Sequence, residues 1–244
     1  MLIPWLFSAA LAAEPCTTHL PATPHRQPDG PRCLAAAAAT ALSTWEGAPD
    51  ARAIARAVQV LPDGIDPFDL QRAVQALGWN SLVFTGPPEA AARLIEAGFA
   101  TVAFVDEVGS RRHAITVTGA RRVAGEDGRC TTALAALQVY DPRTDVTRWQ
   151  SAKAFAARQS VEQLIVFFRP EEREQLDDAG FPLPPAEAVD RRFRSQALVH
   201  RAQAHQAPNT QSIRLLQQAV EADPSYEKAQ VNLAQHQRAT AGSD

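Results

Sequence analysis

The sequence predicts an α+β domain followed by a small all-α segment. Between residues 33 and 97, apolar residues recur at helical spacing in stretches closed by glycine or proline. Between 101 and 168, short β-branched stretches are separated by turn residues. After residue 186 no β pattern returns. Helices first and antiparallel strands second describe an α+β domain.

Residues 14–32 are rich in proline and polar side chains and read as an extended arm. Residues 33–45 are almost all alanine and leucine, strong helix formers. Gly47, Pro49 and Asp50 end that helix and cap the next, 51–58, where Ile54, Ala57 and Val58 fall at helical spacing. Asp63-Gly64 and Asp66-Pro67 are turn signals. A third helix over 67–77 stops at Gly78, and residues 81–84 form a short strand. A fourth helix, 87–97, opens on prolines, where a missing N–H costs little, and ends at Gly98. Strands follow at 101–105 and 113–118. A turn over 124–128 returns the chain through 134–140 as a long hairpin. A short helix over 151–158 and a buried strand over 163–168 complete the domain.

Four segments are expected: a signal peptide at 1–13, a folded domain at 14–170, a linker at 171–188 and helices at 189–244. The first stretch is apolar and ends in the small-x-small sequence Ala10-Leu11-Ala12, which predicts export to the periplasm or the medium. The linker is charged at its start and proline-rich at its end.

At 244 residues, 45% of them apolar, the chain can hold one or two domains of roughly 100–200 residues each. A net charge of −3 offers no reason to invoke nucleic acid or an anionic membrane. No apolar run approaches the roughly 20 residues of a membrane span, so no integral segment is expected after signal removal. The three cysteines, Cys16, Cys33 and Cys130, lie far apart, and no Cys/His cluster suggests a metal; no cofactor is expected. In an oxidising compartment, Cys16 with Cys130 is the pairing that leaves Cys33 free; three reduced thiols is the alternative.

The candidate chemistry lies in Gln27, Cys33, His113 and Asp141. An amide, a thiol, an imidazole and a carboxylate are the groups that thiol-based acyl transfer uses. Gln27 precedes Cys33 by six residues, and an apolar helix follows the cysteine. Trp45 and Gly47 close that helix region. The run from His113 to Gly119 alternates apolar residues, and Val139-Tyr140-Asp141-Pro142 ends the next strand. These motifs resemble those of the bacteriocin-processing, double-glycine leader peptidases, a branch of the papain-like cysteine peptidases. The resemblance covers about residues 20–168. It implies a papain-like fold, N-terminal helices packed on an antiparallel sheet, and a peptide or protein substrate. It assigns Cys33 as nucleophile, His113 as base and acid, Asp141 as the residue orienting His113, and Gln27 as an oxyanion donor.

Two residues depart from the family pattern. Leu34 stands where the family usually has glycine, and a bulky side chain there is expected to crowd the cleft. Asp29 is an N-cap candidate, and an alternative alignment sets it in the place of the nucleophile, which makes the domain inactive. A catalytically inactive peptide-binding adaptor is therefore the second reading. An acyl transferase or amidase on the same scaffold is the third.

The C-terminal helices, 211–222 and 229–239, resemble tetratricopeptide repeats through Ala219, Pro224, Leu233 and Ala234. Gln196 and Gln203 occupy the positions where the repeat expects Trp and Tyr. The resemblance implies a docking surface for a protein partner. A plain helical hairpin is the alternative.

Overall fold

The computed structural model describes residues 16–58, 60, 64–106, 112–181, 191, 195, 198–199, 201–202, 205 and 208–241. The signal-peptide segment 1–13 lies outside these residues, as do Gln196 and Gln203. The chain divides into two compact units, Met1–Gly180 and Phe181–Asp244. No helix among the described residues is long and apolar enough to cross a membrane.

In the first unit, helices α1 (Cys33–Leu42), α2 (Ala51–Ala57), α3 (Pro67–Ala76) and α4 (Pro88–Glu96) precede most of the sheet. Strands β1 (Thr17–His19), β2 (Asn80–Thr85), β3 (Thr101–Asp106), β4 (Arg112–Ala124), β5 (Cys130–Asp141), β6 (Val146–Ser151) and β7 (Gln159–Phe168) form one seven-stranded sheet. The strand order is β2-β7-β3-β4-β5-β6, with β1 pairing β4. Every pairing is antiparallel. This is the α+β, helices-on-antiparallel-sheet architecture that the sequence predicts.

The length of β4 organises the sheet. Its first half pairs with β3, from Arg112↔Asp106 to Val117↔Thr101. Its second half pairs on that side with β1, from Gly119↔His19 to Arg121↔Thr17. Gly119 sits at the junction. A Cβ there would lie 3.0 Å from Gln138 Cβ, 3.1 Å from the Trp149 ring and 3.2 Å from the Thr18 carbonyl oxygen. Such approaches leave room for no side chain.

Helix α1 is central. Ala35 to Ala39, Ala41 and Leu42 are all 0% exposed. Alanine's small side chain lets neighbours close in on every face. Thr116 Oγ1 of β4 donates to the Ala37 carbonyl at 2.9 Å. On another side runs the N-terminal arm, where the His25 N–H donates to Thr40 Oγ1 at 3.0 Å and the Thr23 N–H to Ser43 Oγ at 2.7 Å.

Two expectations change. The 151–158 helix is shorter, α5 (Ala152–Ala156), and is preceded by edge strand β6. The segment read as a linker from 171 is folded at its start: a 3-10 turn (Pro170–Glu172) leads into α6 (Arg173–Asp178). It is held because Trp45 Nε1 donates to Glu172 Oε1 at 2.6 Å and Gln175 Nε2 to the Ala97 carbonyl at 2.7 Å. Leu176 is fully buried. A single apolar residue among charges anchors this helix, too little for a periodic pattern.

The second unit contains α7 (Thr210–Ala222) and α8 (Glu227–Ala241). Asn209 caps α7, accepting from the Ser212 N–H at 2.8 Å. Val199, Ala202, Leu215, Leu216, Ala219, Tyr226 and Ala229 form its core.

Candidate active site

Cys33 is the first residue of α1, and Arg32 is the N-cap, with no side-chain capping bond. Asp29 therefore does not cap this helix; it is exposed in a bend, and its carbonyl accepts from the Arg32 guanidinium. The thiol stands where backbone N–H groups lack intrahelical acceptors and the helix dipole favours negative charge. Leu34 is 2% exposed and belongs to the hydrophobic core. Its side chain fills the interior, and the expected crowding of the cleft does not occur.

His113 lies at the start of β4, opposite Val105 of β3, and is fully buried. Its Nε2 lies 2.7 Å from Asp141 Oδ1 at the end of β5. The ring also acts on the Cys33 thiol, each shifting the other's titration toward its charged form. Thiol, imidazole and carboxylate are thus brought together from α1, β4 and β5.

The charges follow from this geometry. Burial pushes the Cys33 thiol up, but the His113 hydrogen bond, the Ala114 N–H, and the charges of His113 and Arg143 outweigh it, so the net shift is downward. Burial disfavours a charged His113, yet hydrogen bonds to Asp141 and Cys33, and their negative charges, raise it to about 9. Burial likewise pushes Asp141 up, but the His113 bond, the Arg143 and Thr144 N–H groups and the His113 charge hold it at about 2. The site favours a thiolate–imidazolium pair.

The turn after β5 supports the carboxylate. The Arg143 N–H donates to Asp141 Oδ1 at 2.9 Å, and the Asp145 N–H to the Asp141 carbonyl at 2.9 Å. The Tyr140 hydroxyl donates to Asp145 Oδ1 at 2.8 Å, and Asp145 itself is left-handed at φ 57.

Gln27 reaches this turn through its backbone: its N–H donates to the Pro142 carbonyl at 2.8 Å. Its side-chain Nε2 donates to the Gly30 carbonyl at 2.6 Å, which occupies one of its two N–H bonds. Cys16 and Cys130 are disulfide-bonded, with Cα atoms 5.3 Å apart, and Cys33 is a free cysteine. No group of His, Cys, Asp or Glu among the described residues could hold a metal ion. Sequence reasoning missed Arg143, the Ala114 N–H and the Tyr140–Asp145 brace. Only Arg143, two positions after Asp141, leaves a trace in the sequence.

The structure is similar to several solved peptidase domains. One is the peptidase domain of Streptococcus ComA, a bi-functional ABC transporter involved in quorum sensing, at 14% identity over 59% of this chain and 94% of that chain, with a TM-score of 0.46. Another is a double glycine motif protease from an AMS/PCAT transporter in complex with the leader peptide, at 13% identity, 62% and 93% coverage, and a TM-score of 0.45. The Streptococcus mutans ComA peptidase domain gives 11% identity, 60% and 99% coverage, and a TM-score of 0.43. No family model and no curated protein matches the chain.

Proposed function

We propose that this chain is an exported cysteine peptidase that hydrolyses a peptide or protein through Cys33, His113 and Asp141. The observation that carries this reading is the convergence of the helix-terminal thiol, His113 and Asp141, with His113 Nε2 2.7 Å from Asp141 Oδ1. The Cys33 thiolate attacks the scissile carbonyl carbon, and the carbonyl electron pair moves onto its oxygen. The Cys33 N–H and the second N–H of the Gln27 amide stabilise that oxyanion. Imidazolium His113 gives its proton to the departing amine as the C–N bond breaks, leaving a thioester. Neutral His113 then takes a proton from water, which attacks the thioester and releases the acid and the thiolate. Asp141 holds the ring in orientation and stabilises its charged form.

Export is supported by the apolar N-terminus and by the Cys16–Cys130 disulfide, since such bonds persist in oxidising compartments. Fractionating cells that express the full chain tests this; recovery only from the cytoplasm overturns it. The tetratricopeptide-like helices would dock a protein partner.

Hydrolysis of a mixed peptide pool by wild type and not by Cys33→Ser is the expected result. One observation favours the adaptor reading, the engagement of Gln27 Nε2 by the Gly30 carbonyl. Peptide binding without cleavage would establish that adaptor role. Turnover of amide-bearing cell-wall fragments with no peptide cleavage would mark an amidase instead.

A further inference from the structure

We propose that Tyr140 and Asp145 are positioning residues that aim the Asp141 carboxylate at His113. The proposal rests on the peptidase reading and deepens it. Asp141 is the last residue of β5, and β6 starts at Val146, paired with it. The chain therefore reverses within Asp141–Asp145. The Asp145 N–H donates to the Asp141 carbonyl at 2.9 Å, which closes the turn on the backbone. Inside it, the Arg143 N–H donates to Asp141 Oδ1 at 2.9 Å, and the same oxygen lies 2.7 Å from His113 Nε2. The direction of the carboxylate thus depends on where the turn puts one backbone N–H.

Such a turn is weakest at its closing residue. Asp145 is left-handed at φ 57, a region that glycine enters freely and other residues enter at a cost. Aspartate is among the side chains that tolerate it. Here the side chain is used as well, since its Oδ1 accepts from the Tyr140 hydroxyl at 2.8 Å. Tyr140 is 1% exposed, so packing fixes its ring, and its hydroxyl needs an acceptor. The bond ties an exposed turn residue to a side chain anchored in the interior, one position before Asp141. A glycine at 145 would satisfy the backbone and supply no tie. From the arm, the Gln27 N–H donates to the carbonyl of buried Pro142 at 2.8 Å, which holds the middle of the same turn. Charged groups act on each member: Asp145, Asp141 and Arg26 on Tyr140, Cys33 and Asp141 on His113, and His113 and Arg143 on Cys33. Burial, the Asp145 bond and the Asp145 charge push the Tyr140 phenol up, so it is neutral, and Tyr140→Phe removes a hydrogen bond and no charge.

The pH dependence of Cys33 alkylation by iodoacetamide tests this, read by mass spectrometry of the Cys33 peptide from the full-length, disulfide-bonded protein. A misaimed carboxylate holds less positive charge on His113, and a neutral imidazole stabilises the thiolate less. In wild type the midpoint of the alkylation profile should lie below 9.0. Tyr140→Phe and Asp145→Gly should each raise it by about one unit, which slows alkylation about tenfold on the acid side and leaves the plateau rate unchanged. Asp145→Asn keeps an acceptor oxygen and tolerates the left-handed backbone, so its midpoint should stay within about 0.3 units of wild type. Tyr140→Phe keeps the buried ring, and Asp145→Gly places at φ 57 the residue best suited to it, so both variants are expected to fold. A turn with a structural role alone would lower thermal stability and leave the midpoints in place. Midpoints of Tyr140→Phe and Asp145→Gly equal to that of wild type overturn the positioning role, and the peptidase reading then stands on a wild-type midpoint below 9.0. A shift in Asp145→Asn as large as that in Asp145→Gly also overturns it, because charge and not position would be acting. A wild-type midpoint at or above 9.0 overturns the peptidase reading itself, and this proposal with it.

Discussion

Helices α1 and α8 are both rich in alanine and end in opposite environments. In α1, five consecutive alanines, Ala35 to Ala39, are fully buried. In α8, Ala229 is buried, but Ala239 is exposed and Val231 is 46% exposed. Alanine favours both helices equally; what differs is what surrounds them. A buried all-alanine helix lets the sheet and the arm approach its backbone, as the Thr116–Ala37 and His25–Thr40 bonds show. Its amino end then carries Cys33 on a fixed frame. The glutamines and other polar residues of α8 leave it a surface helix over a core of seven buried residues. The first arrangement suits chemistry that needs a reactive atom held still, and the second suits a surface.

The covalent tie sharpens this contrast most. Residues 181–244 contain no cysteine, whereas Cys16 and Cys130 close a separation of 114 residues in the first unit. In the chain-entropy treatment, a loop of that size contributes about 5 kcal/mol. Cys16→Ser with Cys130→Ser should shift the first unit's urea midpoint down accordingly, with probes placed in α7 and α8 unaffected.

Next in size is the coupling of the buried helix to His113. His113→Ala should slow both peptide hydrolysis and Cys33 alkylation at neutral pH. The hydrolysis loss is about 10³-fold, within the range of a general acid–base residue. Undiminished alkylation of that variant would show that the helix end alone activates the thiol. A direct break of the comparison is to enlarge one alanine in each helix. Ala37→Leu has no space and should destabilise the first unit by about 3 kcal/mol. Ala239→Leu should stay within about 0.5 kcal/mol. Urea titration of the two variants separates them.

Much of this contrast was legible in the sequence, and the reasons differ by element. The alanine run, the glycine stops and the β-branched alternation of 113–118 carry strong local signals. The β6 strand does not: its first three residues are exposed, so no apolar alternation marks it, and it exists because the tight Asp141–Asp145 turn returns the chain beside β5. The β1 strand is three residues long and is read only by its register on β4. The Gln27-to-Cys33 spacing is a local signal, but the burial of Leu34 and the Nε2 bond of His113 depend on how α1 lies against β4, which no local pattern encodes.

The smallest effect tests whether the thiol and the imidazole titrate as a pair. His113 is raised from 6.5 to about 9 in the folded protein. Its stabilisation is complete below about pH 6.5. It is lost as pH rises through about 9, because over that range the folded state holds a proton that the unfolded state has released. Cys33 is lowered from its ordinary value of 9.0, so the folded state lacks a proton that the unfolded thiol keeps, and this contribution grows with pH. Over the window from 6.5 to 9 the two slopes oppose each other, so wild-type stability should fall less steeply with pH than His113 alone would make it. Cys33→Ser removes the opposing member while the Asp141 hydrogen bond still raises His113. Its stability should therefore decline by on the order of 1 kcal/mol as pH rises from 6.5. Below that window both proteins should weaken together as pH falls through 3.8 toward 2, where Asp141 takes up its proton. Urea midpoints measured across pH for the two proteins decide the matter. Parallel curves between 6.5 and 9 would mean that Cys33 keeps its proton, and that the buried helix presents a thiol and not a thiolate to the cleft.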